Sequence, residues 1–219
     1  RLIVAEGIKV FSQRFLYFAL LALIAGILLS AWLQPLLTGQ KESDWGKYNS
    51  YQLFSYGAKL GNQIASYILV VFSSMLFAGE FDRGTVKNLL TRPVTRTDVF
   101  VAKVMVSALM AGTLYAVVLY VSFHYGVSRG DLGPVWDTQQ YEMKKTAAQM
   151  SAYMQSTILV GFLPLLGACG LGILISNLTE SSGYAVAIAL ITYLLLDLVT
   201  AFVPRLEPGF FNFYLTEGF

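Results

Sequence analysis

The sequence predicts an all-α integral membrane protein, a polytopic helical bundle, and three observations lead there. Hydrophobic residues make up 56% of the chain and charged residues 13%. The charged share is about half the ~25% of an ordinary soluble domain, too little to cover a surface facing water. The apolar residues are gathered into continuous runs near the ~20 residues that a helix needs to cross ~30 Å of hydrocarbon. A transmembrane barrel would instead show alternating segments of about 10 residues. With Pro 6 and Cys 1, the chain fits neither a disordered or collagen-like class nor a disulfide framework. Its net charge of +2 is too near balance to point to a nucleic-acid partner.

Residues 1–14 come first. Val4, Ile8, Phe11 and Phe15 recur at helical spacing on one face, and Glu6, Lys9 and Gln13 on another. That is the pattern of a short helix lying in the membrane interface; the alternative is simply the start of the first span. Spans are expected at about 15–37, 60–79, 99–127, 157–176 and 183–203. The first is too long for a signal-peptide core and no small-x-small cleavage pattern follows it, so it reads as retained.

Lysine and arginine set the orientation. Arg1, Lys9 and Arg14, then Arg83, Lys87, Arg92, Arg96 and Lys103, cluster on one side. On the other, Lys41, Lys47, Lys59, Arg129, Lys144, Lys145 and Arg205 are spread over longer loops among acids. This modest bias places the N-terminus inside, and residues 40–56, 128–150 and 204–219 outside. Residues 138–155, rich in Gln, Ala, Met and Lys, read as a helix that runs on into the fourth span, with Pro164 kinking it. In 204–219, Pro204, Pro208 and Gly209 stand among Phe210, Phe211, Phe213 and Tyr214, which suits a segment dipping into the outer interface.

Hydrolytic or metal chemistry has little to work with. His124 and Cys169 are the sole residues of their kinds. The motifs HExxH, CxxC and GxxxxGK[ST] are absent, and no catalytic residue, metal site or nucleotide-binding loop is assigned to this chain. His124 beside Tyr125 reads as an interfacial hydrogen-bonding residue. Cys169, among Gly167, Ala168, Gly170 and Gly172, reads as a small packing residue. Asp197 interrupts a leucine run, where a carboxyl group is costly. Either it faces a substrate path, or it lies close enough to the outer interface to be hydrated.

The most informative stretch is 80–98. Thr85 can cap a short helix whose apolar face is Val86, Leu89 and Leu90, and Pro93 stops it. Thr95 and Asp98 have capping-box spacing to start the third span. A basic-rimmed amphipathic helix with its apolar face free suits the docking of a cytoplasmic partner.

The run from Glu80 through Gly84-Thr85, Leu89-Leu90, Pro93 and Arg96 to Lys103 resembles the signature around the first cytoplasmic loop of the ABC-2 type permeases, the membrane subunits of ATP-binding-cassette exporters. The resemblance implies a six-helix unit, of which five spans are visible here, with a re-entrant external segment at 204–219. It implies a bacterial cytoplasmic membrane, a second permease chain as homo- or heterodimer partner, and cytoplasmic ABC ATPase subunits. Those ATPases would bind ATP and Mg, so the permease itself needs no cofactor. Glu80, Gly84, Thr85, Val86, Leu89, Leu90, Pro93 and Arg96 would couple the ATPase to the membrane.

The path in such permeases lies between the two chains. Here it would be lined by Asn62, Gln63, Ser66, Tyr67, Ser73 and Ser74 of the second span and Thr192, Tyr193 and Asp197 of the fifth. Helix–helix hydrogen bonding explains the same polar residues equally well. The expected function is a permease subunit that moves an amphiphilic or lipid-like substrate, the class that an aromatic, weakly charged membrane region suits. The alternative is a membrane scaffold or assembly subunit without transport activity.

Overall fold

The computed structural model describes residues 2–11, 14–38, 50–82, 84, 95–130, 135–136, 143–145, 149, 151–152, 155, 158, 160–202, 210–211 and 214–215. Its elements in chain order are α1 (Leu2–Phe11), α2 (Arg14–Thr38), α3 (Ser50–Asp82), α4 (Arg96–Arg129), β1 (Val135–Trp136), β2 (Met143–Lys145), α5 (Leu163–Leu178) and α6 (Ser182–Phe202). The fold is an all-α multi-pass membrane bundle. Leu53–Asp82, Thr97–Arg129 and Ser182–Thr200 are long and apolar enough to cross a membrane, and Arg14–Leu29 and Leu163–Leu178 are apolar but shorter. Lipid offers no partner to backbone N–H and C=O groups, so runs of this composition persist as helices, which satisfy those groups internally.

The central element is α3, which packs against α2, α4, α5 and α6, while α1 packs on α4. Leu69 and Val70 of α3, Met110 and Leu114 of α4 and Leu165 of α5 are fully buried in this core. Large apolar side chains on α2 (Phe18, Leu21, Trp32) and α6 (Tyr184, Leu194, Phe202) face outward, as a lipid-facing surface requires and a water-facing one rarely tolerates.

Small residues let the backbones approach. A Cβ at Gly172 of α5 would overlap Ser73 Oγ and come within 2.9 Å of the Val70 carbonyl oxygen, both on α3. Gly172→Ala is therefore expected to cost ~1–3 kcal/mol by overpacking, seen as a lower Tm in detergent. Gly170→Ala, with nothing within 4 Å of the added carbon, should leave Tm unchanged or raise it slightly. Equal effects at the two positions would contradict the α3–α5 contact.

The capping box at the start of α4 forms. Thr95 Oγ1 accepts from the Asp98 N–H at 3.2 Å, and the Asp98 carboxylate accepts from the Thr95 N–H at 3.2 Å.

One local expectation needs correction. Residues 138–155 are not one helix: Met143–Lys145 pairs antiparallel with Val135–Trp136, Val135 opposite Lys145 and Trp136 opposite Met143. The strand pair takes residues 143–145 out of the helix, while the described residues 149, 151–152, 155, 158 and 160–161 are helical. Pro164 sits at an interruption between helical residues 160–161 and α5: Phe162 between them is a turn that keeps helical dihedrals, φ −76° and ψ −31°, and the proline supplies no N–H to the preceding turn. The carbonyls before this break are taken by neighbours: Tyr115 OH donates to Ile158 O at 2.6 Å and Asn62 Nδ2 to Gly161 O at 3.3 Å.

In α1, Val10 is 4% exposed and Ile8 66% exposed, and Lys9, its side chain 47% exposed, reaches the Glu80 carboxylate; the side chains of Val4 and Phe11 lie outside the described residues. Of the segment 204–219, Phe211 packs against Gly167 and Tyr193 and Leu215 is buried.

Candidate functional site

Among the described residues, two polar clusters interrupt the apolar bundle. The first lies where α3 gives way to the 80–98 connection. Lys103 belongs to an apolar stretch of α4 and is only 2% exposed. Its Nζ lies 2.9 Å from Glu80 Oε1, donates to the Leu76 carbonyl oxygen, and sits 4.8 Å from the centroid of the Phe77 ring. A carboxylate, a carbonyl dipole and a ring face together stabilise an ammonium that burial alone would exclude. Lys9 of α1 donates to the same Glu80 oxygen at 3.2 Å and lies 3.8 Å from Glu6. One carboxylate thus joins α1, α3 and α4.

The backbone beyond Glu80 is shaped for a sharp exit. Gly84 has φ +65°, and its N–H bonds to the Phe81 carbonyl at 3.0 Å. A side chain at that φ would be strained, so glycine closes the turn. Ser182 Oγ donates to Asp82 Oδ2 at 2.5 Å, tying the start of α6 to the end of α3.

The second cluster lies between α3 and α6. Tyr67 OH donates to Asp197 Oδ2 at 2.8 Å, and Gln63 Nε2 donates to the same oxygen at 3.2 Å. One turn away, Tyr193 OH donates to Ser66 Oγ at 2.6 Å, and Ser66 Oγ donates to the Gln63 carbonyl at 2.7 Å. The Tyr67 and Tyr193 rings meet edge to face at 5.0 Å. A carboxylate and an amide therefore sit beside two aromatic faces, a lining with both polar and apolar character.

A family model described as ABC-2 family transporter protein matches residues 2–196. The chain belongs to that family. As such it is a permease subunit of an ABC transporter, of a kind that has no nucleotide-binding site of its own and works with an ABC ATPase subunit. No curated protein and no solved structure gives a significant match.

In this ABC-2 permease the residues singled out in the second and fifth spans fall into three groups. Gln63, Ser66 and Tyr67 meet Tyr193 and Asp197, with Thr192 half-buried on the same helix. Asn62 engages the Gly161 carbonyl instead. Ser73 and Ser74 turn back onto their own helix, bonding Leu69 O at 2.6 Å and Val71 O at 2.8 Å. Of the residues assigned to ATPase coupling, Glu80 and Gly84 stand as described and Arg96 opens α4. Thr85, Val86, Leu89, Leu90 and Pro93 lie outside the described residues.

Sequence reasoning quoted Lys9 and Lys103 without giving either a place in a site, and passed over Ser176. Lys103 had a usable signal, a cation inside an otherwise apolar run. Ser176, in a Gly- and Ala-rich span, had none.

Proposed function

We propose that this ABC-2 permease exports an amphiphilic or lipid-like substrate across a bacterial cytoplasmic membrane. It works as one of two permease chains, each bound to a separate ATPase that holds ATP and Mg. The N-terminus and the 80–98 connection face the cytoplasm, in keeping with the lysines and arginines gathered there. The stretch 85–90 receives the ATPase through Val86, Leu89 and Leu90. Closure of the ATPase pair displaces that stretch, and α3, unbroken from Ser50 to Asp82, transmits the displacement to the α3–α6 joint.

The observation that carries this reading is the α3–α6 cluster. Polar groups in hydrocarbon are expensive and collect where protein or a cavity receives them. Here they meet across a helix pair by side chain alone, so the joint can open without breaking either helix. Opened, it offers a carboxylate and an amide to a polar head and the Tyr67 and Tyr193 rings to an apolar tail.

The test is accessibility in two nucleotide states. In a Cys169→Ala background, Gln63→Cys and Thr192→Cys are each expected to react with a membrane-impermeant thiol reagent in one state, nucleotide-free or ATP–vanadate-trapped, and at least about tenfold more slowly in the other. Equal protection in both states would make the cluster a helix–helix fastening and remove it from the path.

A further inference from the structure

Two side chains that the mechanism above does not use converge on three consecutive residues of α3. From α4, Lys103 Nζ donates to the Leu76 carbonyl oxygen. From α5, the Ser176 hydroxyl oxygen accepts from the N–H groups of Phe77 at 2.9 Å and Ala78 at 3.1 Å. Ser176 and Ala78 are 0% exposed and Lys103 2%. The backbone of α3 is thus gripped from both sides, one turn before Asp82 ends the helix.

Backbone grips differ in kind from apolar packing and from side-chain pairs. Packed apolar ridges can slip past each other by small shears, and a side-chain pair such as Tyr67–Asp197 can part by rotamer changes. A buried hydrogen bond to a neighbour's peptide group tolerates neither rotation nor sliding of that helix without leaving a desolvated polar group unpaired. Hence α3 is fixed to α4 and α5 at its inner end, while its joint with α6 is made of exchangeable side-chain bonds.

We propose that Lys103 and Ser176 are positioning residues that clamp α3 at Leu76, Phe77 and Ala78, so that the inner ends of α3, α4 and α5 move as one block when the 80–98 connection is pushed. α1 rides on the block through Lys9 and Glu80. The role in coupling rests on the permease reading above; the clamp itself does not.

The experiment uses spin labels on α4 and α5 at Val101→Cys and Leu178→Cys, which are 48% and 77% exposed in the native chain, in a Cys169→Ala background in lipid nanodiscs. The α4–α5 distance is expected to stay narrow while both grips on α3 hold. The otherwise native chain is expected to give one narrow distribution, the same in the nucleotide-free and ATP–vanadate-trapped complex. Lys103→Met and Ser176→Ala are each expected to broaden it without nucleotide and to let it shift on trapping, with Lys103→Arg closer to native. Lys103→Met folds because Glu80 keeps Lys9, and Ser176→Ala keeps the packing.

Amide exchange at Phe77 and Ala78 should quicken on the order of tenfold in Ser176→Ala. An unbroadened distance in both variants would overturn the clamp. A shift on trapping in the otherwise native chain would overturn the single block. The nucleotide-free arm uses the permease alone, so it decides the clamp even if no ATPase binds, and that failure would then fall on the permease reading.

Discussion

Replacing Glu80 with Ala is expected to lower stability by ~3–5 kcal/mol, the usual cost of leaving a buried ion without its partner. Lys103 is 2% exposed, and Glu80 Oε1 at 2.9 Å is its carboxylate partner. The Leu76 carbonyl and the Phe77 ring remain in the variant, but neither carries a full charge. Lys9 shares the same oxygen with a side chain that is 47% exposed, so Lys9→Ala should cost only ~0–1 kcal/mol. Glu80→Gln keeps an acceptor and should fall between the two.

The double variant Glu80→Ala/Lys103→Met should recover most of the loss. Apolar groups of similar volume often replace a buried ion pair at little cost. Thermal unfolding of the purified variants in one detergent supplies the measurement. A loss in Glu80→Ala no larger than in Lys9→Ala, or a double variant below both singles, would show that Lys103 does not depend on Glu80.

The second large effect concerns the proposed ATPase contact. Leu89→Asp combined with Leu90→Asp is expected to weaken the permease–ATPase complex by at least about 100-fold. Two buried leucines contribute ~1.5–3 kcal/mol each, and each 1.4 kcal/mol is about a factor of ten in affinity. The introduced carboxylates add a desolvation cost on an apolar face. Membrane insertion should be unaffected, because residues 80–98 lie between spans. Titration of the ATPase onto nanodisc-embedded permease reads this directly, and an unchanged affinity would remove residues 85–90 from the interface.

The sequence made the helices legible because lipid imposes a simple rule: a long apolar run with few charges must satisfy its own backbone. The start of α4 was equally plain, since Thr95 and Asp98 cap each other over three residues. Local rules failed where a distant partner decided. Val135 and Trp136 drew Met143–Lys145 into a strand pair, against the helix preference of that segment. In α1, the bond of Lys9 to Glu80 spans 71 residues, beyond the reach of any local pattern.

The α3–α6 cluster was legible as a set of polar residues but not as an arrangement. Gln63 and Asp197 lie 134 residues apart, and no periodicity tells which polar side chains will meet. Asn62, one residue from Gln63, donates to the Gly161 carbonyl instead. The grip of Ser176 on α3 left no trace in sequence, because its partners are main-chain N–H groups that every non-proline residue has.

The central claim is that this ABC-2 permease works with a separate ATPase seated on its 80–98 connection. The most direct measurement is affinity purification of the native chain from its host in mild detergent, with mass spectrometry of what accompanies it. The account predicts a co-purifying P-loop ATPase that is lost from the Leu89→Asp/Leu90→Asp variant. Purification with envelope-assembly proteins and no ATPase would contradict it and make the chain a membrane scaffold.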